Sequence, residues 1–142
     1  MFMVLIREES AGYMTNIVAR LFARAIDAHL RPLGVSPGQL PVFFALARGN
    51  TMTQKELARA SIMEQPTMAA TLLRMERDGL IQRRPDPKDG RSALISLTPA
   101  ALERAAAVEA AVHAVNDQGL AELDEPARAA FLKNLAAIAR AL

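Results

Sequence analysis

Side chains suited to nucleic-acid recognition are concentrated near the middle of the chain. Gln65 carries an amide that can form two hydrogen bonds to the edge of adenine. Arg74 and Arg77 carry guanidinium groups that can pair with guanine or with a phosphate, and Lys88 and Arg91 add two further cations. These residue types in this order could bind a polyanion while distinguishing between its bases.

The last two of these cations lie in a segment that predicts a β-hairpin. Residues 83–98 read RRPDPKDGRSALISLT, with prolines and a glycine before a run that alternates in polarity. That pattern is typical of two antiparallel strands joined by a tight turn. Lys88 and Arg91 would project from the tip of the turn, and Arg91 could enter a minor groove of DNA. The alternative is an ordinary solvated turn that happens to carry two charges.

The other three side chains lie on a predicted helix spanning residues 65–78. Met68, Leu72 and Met75 share one face of that helix and are expected to be buried. The opposite face and the N-terminal tip comprise Gln65, Pro66, Thr67, Ala69, Ala70, Leu73, Arg74 and Arg77. Small side chains there would let the backbone approach base edges closely, and alanine could contact thymine methyl groups. Alternatively, the small and apolar members of this face pack against another part of the protein.

Capping signals and apolar periodicity predict a mainly helical chain around this segment. A T-x-x-E capping box at residues 53–56 opens a short helix that a tight turn joins to the next, as in a helix-turn-helix. The predicted elements, in order, are helices near 13–33, 37–49, 54–60 and 65–78, the hairpin arms 80–84 and 93–97, and helices 99–118 and 125–142. A hairpin directly after a helix-turn-helix makes a winged helix-turn-helix, so the predicted fold is mainly α with a small β-hairpin wing.

The composition excludes several other kinds of site. The chain has 142 residues, a net charge of +2 and no cysteine, which excludes disulfides, thiolate zinc sites and thiol redox sensing. The absence of cysteine gives a cytoplasmic location as the default expectation. No apolar run is long enough to cross a membrane, and the opening MFMVLI lacks the basic flank of a signal peptide. The sequence contains no glycine-rich phosphate loop, G-x-S-x-G motif or metal-ligand cluster. No catalytic residue, metal or cofactor is therefore predicted.

The run from residue 53 to residue 101 resembles the MarR family of bacterial transcriptional regulators. The most specific parts are L-x-R-M-E-R-D-G-L-I at residues 72–81, D-P-x-D-x-R at residues 86–91 and L-T-P at residues 97–99. The resemblance implies a homodimer whose first and last helices intertwine. It implies binding to a pseudo-palindromic operator on double-stranded DNA, usually as a repressor, and release by a small aromatic or anionic effector.

Three positions depart from the residues that are usual in that family. Ala69 and Ala70 stand where a polar or basic side chain is often found, and Gly90 stands where arginine is common. The departures imply that base readout depends on fewer side chains and more on the shape of the DNA.

The resemblance also implies a division into domains and a place for the effector. The implied domains are an N-terminal dimerisation helix (1–34), a winged helix-turn-helix domain (35–98) and C-terminal dimerisation helices (99–142). An effector pocket between the first, second and fifth helices would be lined by Ile17, Leu21, Phe43 and Phe44. The same apolar residues suit a plain hydrophobic core, which is the simpler interpretation.

Two other classes of function compete with a DNA-binding regulator. A winged helix that binds a protein partner and no DNA would account for an exposed Ala69, Ala70 and Leu73. It accounts less well for the basic tip of the hairpin and for Arg74 and Arg77. An enzyme is disfavoured because Asp86 and Asp89, two carboxylates close together beside turn residues, lie on a hairpin that offers little burial for acid–base chemistry.

Overall fold

The computed structural model describes residues 4–142 and shows a helical protein with a β-hairpin. The elements are α1 (Ala11–Leu30), α2 (Leu40–Leu46), α3 (Gln54–Ala60), α4 (Gln65–Arg77), β1 (Ile81–Asp86), β2 (Asp89–Leu97), α5 (Pro99–Gly119) and α6 (Glu125–Ala141). Short 3-10 turns span Arg7–Glu9, Arg31–Leu33 and Pro37–Gln39. This order confirms the predicted mainly α fold with a winged helix-turn-helix. The first three residues of MFMVLI lie outside the described range.

Polar side chains fix where the helices begin. At the start of α3, Thr53 Oγ1 accepts a hydrogen bond from the Glu56 N–H at 3.2 Å, as the capping box predicts. The Glu56 carboxylate accepts from the Thr53 hydroxyl at 3.1 Å, whereas a full capping box would use the Thr53 N–H. At the start of α6, Asp124 Oδ1 accepts from the Ala127 N–H at 2.9 Å. These bonds satisfy N–H groups that have no partner within their helix.

The second helix is shorter than the sequence predicts. Residues 37–39 form a 3-10 turn, and the α-helical part runs only from Leu40 to Leu46. Pro41 occupies its first turn, where the missing N–H has no intrahelical partner to lose. Gly49 adopts φ +81°, a left-handed conformation that carries the chain away from the helix axis.

The wing is longer than predicted and has an irregular tip. The two strands pair antiparallel from Ile81 opposite Leu97 to Pro85 opposite Ala93, and then Asp86 pairs with Asp89. The register shift leaves residues 90–92 as a bulge on β2. At its base the wing also pairs with the segment before α3, because Met52 and Ile95 exchange two backbone hydrogen bonds of 3.1 and 2.7 Å.

The core lies between α1, α2, α3, α4, the wing and α5. Its fully buried side chains are Leu30, Val42, Leu46, Leu57, Met68, Leu72, Met75, Leu80 and Ile95. Leu57 comes from α3, and Met68, Leu72 and Met75 come from α4, so the two helices of the helix-turn-helix share one core. Burial of one face of α4 determines which of its residues face outward.

Thr98 joins three elements at the base of the wing. Its hydroxyl donates to the carbonyl oxygen of Gly79, just after α4, at 2.7 Å. The same hydroxyl accepts from the N–H of Ala101, in the first turn of α5, at 3.2 Å. Gly79 adopts φ +74°, so the predicted left-handed glycine that ends α4 is confirmed. The position of α4 is therefore coupled to the start of α5.

The turn between α3 and α4 contains a strained residue. Ile62 adopts φ +51° although it is β-branched, and its side chain is 92% exposed. We expect Ile62→Asn to raise the free energy of unfolding by about 1 kcal/mol, because asparagine tolerates the left-handed region and little apolar burial is lost. Urea denaturation measures the change. Ile62→Val, which keeps the branched side chain, is the control and should give no gain; equal stability of both variants would contradict the expectation.

Candidate DNA interface

The inner face of α4 is fully committed to the core. Met68, Leu72 and Met75 have no exposed surface, as the helical periodicity predicts, and Thr71 is 4% exposed. The Thr71 hydroxyl donates to the Thr67 carbonyl oxygen at 2.9 Å, which satisfies it inside the helix. The opposite face of α4 is therefore held outward without freedom to rotate.

That outward face consists of the residues expected to contact DNA, with one exception. Exposed side chains on α4 are Gln65, Pro66, Thr67, Ala70, Leu73, Arg74, Glu76 and Arg77, of which Glu76 was not among the residues expected to contact DNA. Ala69 is half-buried and lies at the edge of this surface. Leu73 is 65% exposed, so an apolar side chain lies on this otherwise small and polar surface. The first two turns carry no charge, and cations occur only in the later half.

The later half of α4 carries cations in two different environments. Arg77 Nε lies 3.2 Å from Asp78 Oδ1, so its charge is partly balanced. Within residues 4–142, Arg74 has no carboxylate within 4.0 Å. Arg83 on β1 lies 3.3 Å from Glu76 and ties the wing to α4. Arg74 is thus the α4 cation whose charge is available to an external anion.

The acidic residues of the wing shape its tip. Asp86 Oδ1 accepts from the Lys88 N–H at 2.9 Å, and Asp89 Oδ1 accepts from the Arg91 N–H at 3.0 Å. These are side-chain-to-backbone bonds typical of aspartate in turns. The Arg91 guanidinium is 97% exposed and lies 3.9 Å from Asp89. Lys88 and Arg91 therefore project from a tip whose backbone is held by the two carboxylates.

A contact that sequence reasoning missed lies at the N-terminal end of the exposed face. Gln54 Nε2, on the first residue of α3, donates to Gln65 Oε1, on the first residue of α4, at 3.3 Å. The two residues are eleven positions apart, and only the packing of α3 against α4 brings them together. The resulting surface offers amide donors and acceptors, small apolar groups and guanidinium cations along one helix. Such a surface can contact both base edges and phosphates of a duplex.

The four residues expected to line an effector pocket are not brought together. Leu21 borders a cavity of about 350 Å³ between α1 and α5, together with Phe22 and Val115. Phe43 and Phe44 border a separate cavity of about 580 Å³ between α2 and α5. Ile17 borders neither of these two cavities in the described part of the chain. The residues that would bind an effector therefore stay a prediction.

The larger cavity has polar groups that were not predicted to line it. Arg48 lies in the turn after α2, and Glu109, His113 and Asn116 lie on one face of α5. His113 Nε2 and Glu109 Oε1 are 3.5 Å apart. Their three- and four-residue spacing along the helix was the available sequence signal, since it places them on a common face.

The described residues were also compared with the requirements of a metal site and of a membrane-spanning helix. No three His, Asp or Glu side chains among residues 4–142 are grouped so that they could hold a metal ion. No helix in the same range has the length and apolarity needed to cross a bilayer.

Comparisons with known proteins extend from sequence to fold. Residues 33–92, from just before α2 into β2, match the sequence profile of the MarR family. YwoH, an uncharacterised HTH-type transcriptional regulator of Bacillus subtilis, is 30% identical over 119 residues, which are 84% of this chain and 86% of that protein. The matched family and this relative are transcriptional regulators rather than enzymes.

Solved structures share the whole architecture. The PcaV transcriptional regulator from Streptomyces coelicolor, solved with its natural ligand, has a TM-score of 0.85 at 22% identity and covers 99% of both chains. A cysteine-to-serine mutant of MarR from E. coli, solved with operator DNA, has a TM-score of 0.78 at 21% identity over 89% of this chain and 91% of that chain. These two likenesses establish the fold. With the family profile and the B. subtilis relative, they show that this chain belongs to the MarR family of DNA-binding, winged helix-turn-helix transcriptional regulators.

Proposed function

We propose that the protein is a homodimeric repressor that binds a pseudo-palindromic operator and releases it when a small effector binds. The observation that carries the proposal is the outward face of α4, which starts uncharged and small and ends in arginine, beside a wing with an exposed Arg91. Residues 35–98 would contact DNA, while residues 1–34 and 99–142 would pair the two subunits.

The groove-binding role follows from the order of residues on α4. Gln65, Thr67 and Ala70 would meet base edges, since they lie in the uncharged first turns of the helix. Arg74 would reach a phosphate or guanine one turn later. Arg91 would enter the neighbouring minor groove from the wing. A MarR mutant solved with operator DNA shares this fold, which supports DNA binding by the winged helix-turn-helix.

Selection from a random duplex library tests the proposal directly. We expect an enriched pseudo-palindrome whose half-sites lie about 34 Å apart, roughly one helical turn. Affinity for that site should fall steeply with salt, because bound arginines and lysines release counterions from the phosphates. No enriched motif, together with binding that vanishes at physiological salt, would instead favour a winged helix that binds a protein partner.

The wing contribution is tested by Arg91→Ala. We expect operator affinity to fall roughly tenfold, because a minor-groove arginine contributes on the order of 1–3 kcal/mol to binding and to sequence preference. Fluorescence anisotropy with the selected operator measures the loss. Arg20→Ala removes the same charge from an exposed position on α1 and is the control. Undiminished affinity and unchanged sequence preference for Arg91→Ala would exclude the assigned role of the wing.

Dimerisation is supported by the exposure of α6. No residue of α6 is buried within the chain. Even its apolar side chains are open to solvent, since Leu132 is 59% and Ile138 is 47% exposed. An amphipathic helix of 17 residues is marginal without packing on an apolar partner. The C-terminal helix of a second copy is the partner that the family resemblance implies.

A single charge on that face should separate the subunits. We expect Ile138→Glu to yield monomers, because two carboxylates would be buried in a symmetric interface. Ala137→Glu, on the opposite side of α6, should leave the dimer intact. Sedimentation equilibrium distinguishes the two states. A dimer of unchanged affinity for Ile138→Glu would place the subunit contact elsewhere.

The effector is proposed to occupy the cavity between α2 and α5. Phe43 and Phe44 supply apolar walls for an aromatic ring, and Arg48 supplies a cation for a carboxylate. The PcaV regulator, solved with its natural ligand, shares the fold, which supports the proposal that a small ligand binds here. A screen of aromatic acids for release of the selected operator tests the assignment.

Repression is proposed because the family resemblance implies it, and a dimer bound within a promoter would then exclude RNA polymerase. Transcription in vitro from such a promoter should fall as the protein is added and recover with the effector. A rise in transcription would identify an activator instead.

A further inference from the structure

The first residues of α3 and α4 are joined by a side-chain hydrogen bond with a defined donor and acceptor. Gln54 Nε2 donates to Gln65 Oε1 at 3.3 Å. Gln54 is half-buried and Gln65 is exposed. Thr53 fixes the start of α3 through its bond to the Glu56 N–H, and buried Leu57 and Met68 hold the two helices in a common core. Both amides are therefore carried by rigid elements.

The pair matters because a primary amide has two opposite chemical edges. Rotating the Gln65 amide by half a turn exchanges its donor with its acceptor, so an unrestrained amide can satisfy either kind of base edge. The bond from Gln54 holds Oε1 towards α3, which directs the Nε2 donors away from it. Oε1 keeps a second lone pair for another donor.

We propose that Gln54 is a positioning residue that fixes the amide orientation of Gln65 and thereby sets the base preference at one operator position. The inference rests on the proposed placement of α4 in the major groove. With its amide so held, Gln65 favours a purine, whose N7 accepts from Nε2. Adenine is favoured most, because its N6 amino group can also donate to the free lone pair of Oε1.

Two variants of Gln54 separate orientation from simple loss of a side chain. Gln54→Lys retains a donor for Gln65 Oε1, so the base preference at the affected position should be kept while overall affinity rises through the added charge. Gln54→Glu presents only acceptors, so Gln65 should turn its Nε2 towards residue 54 and its Oε1 towards the DNA. Preference at that position should then move from the N7 acceptor towards a base with an exposed amino donor, such as cytosine.

The experiment measures relative binding of the full-length protein to every single-base variant of the selected half-site. Gln65→Ala identifies the position that Gln65 reads. Gln54→Ala is expected to lower discrimination at that same position roughly tenfold, with other positions and the unfolding midpoint unchanged. In the Gln65→Ala background, Gln54→Ala should change nothing further at that position. Lys55→Ala, an exposed neighbour on α3, is the control and should shift affinity equally for all sequences.

The possible outcomes separate this inference from the proposed function. Gln54→Ala could lower affinity equally for all sequences, or have the same effect in the wild-type and Gln65→Ala backgrounds. Either result would show that Gln54 acts independently of Gln65, and would overturn this inference while leaving the proposed function intact. A Gln54→Glu profile identical to that of Gln54→Ala would do the same. Failure of the wild-type protein to select any motif would overturn the proposed function, and Gln65 would then have no base to read.

Discussion

Ala70→Glu is expected to lower operator affinity about 100-fold, because a carboxylate facing DNA phosphates or base acceptors costs several kcal/mol. Ala70 is exposed on the outward face of α4, in its uncharged first turns and one turn before Arg74. Its methyl group leaves the close approach of a helix to the groove unobstructed. Glutamate favours helix, so the fold should be retained.

The control for this variant carries the same change at an exposed site outside the proposed interface. Ala100→Glu lies in the first turn of α5, where a negative charge also suits the helix dipole. Its operator affinity should stay within about twofold of the wild type, given how strongly salt screens a distant charge. Anisotropy titrations at one fixed salt concentration compare the two variants. If both variants lost affinity equally, the effect would reflect net charge, and α4 would not be the contacting helix.

Adjacent leucines on α4 should give opposite results when each is replaced by alanine. Leu72 is fully buried, so Leu72→Ala is expected to lower the free energy of unfolding by roughly 2–5 kcal/mol, through lost burial and the cavity left behind. Leu73 is 65% exposed, so Leu73→Ala should change stability by less than about 0.5 kcal/mol. Urea denaturation measures both values.

The same pair also tests whether exposure of Leu73 has a function. Under the proposed DNA-binding role, Leu73→Ala lowers operator affinity at full stability, because the leucine covers sugar or thymine methyl surface on binding. Leu72→Ala should lower affinity only in proportion to the fraction that unfolds. If Leu73→Ala were stable and bound the operator with unchanged affinity, Leu73 would not be part of the DNA interface. The conclusion that Leu72 is a buried core residue would not be affected.

Local rules were sufficient for most of the winged helix. The burial of Met68, Leu72 and Met75 follows from helical periodicity, and the end of α4 at Gly79 follows from the conformational freedom of glycine. Thr53 and Thr98 cap their helices through bonds to residues three positions ahead. Each of these features depends on a few consecutive residues, which is why the sequence predicts them.

Features that join distant segments were predicted poorly. Of the expected effector residues, Leu21 on α1 borders one cavity beside α5, and Phe43 and Phe44 on α2 border another. The capping box at Thr53 is only half formed, because the Glu56 carboxylate accepts from the Thr53 hydroxyl instead of from the Thr53 N–H. The second helix is shortened by a 3-10 turn that its apolar pattern does not reveal.

By itself, the sequence determined the order of elements, the outward face of α4 and the charged tip of the wing, because periodicity, caps and turn residues act over a few positions. Only the tertiary structure decided which distant groups meet. It placed Gln54 against Gln65, paired Met52 with Ile95 and set Arg48 opposite the polar face of α5. These contacts depend on how whole helices and strands pack around a shared core, which no short window of sequence specifies.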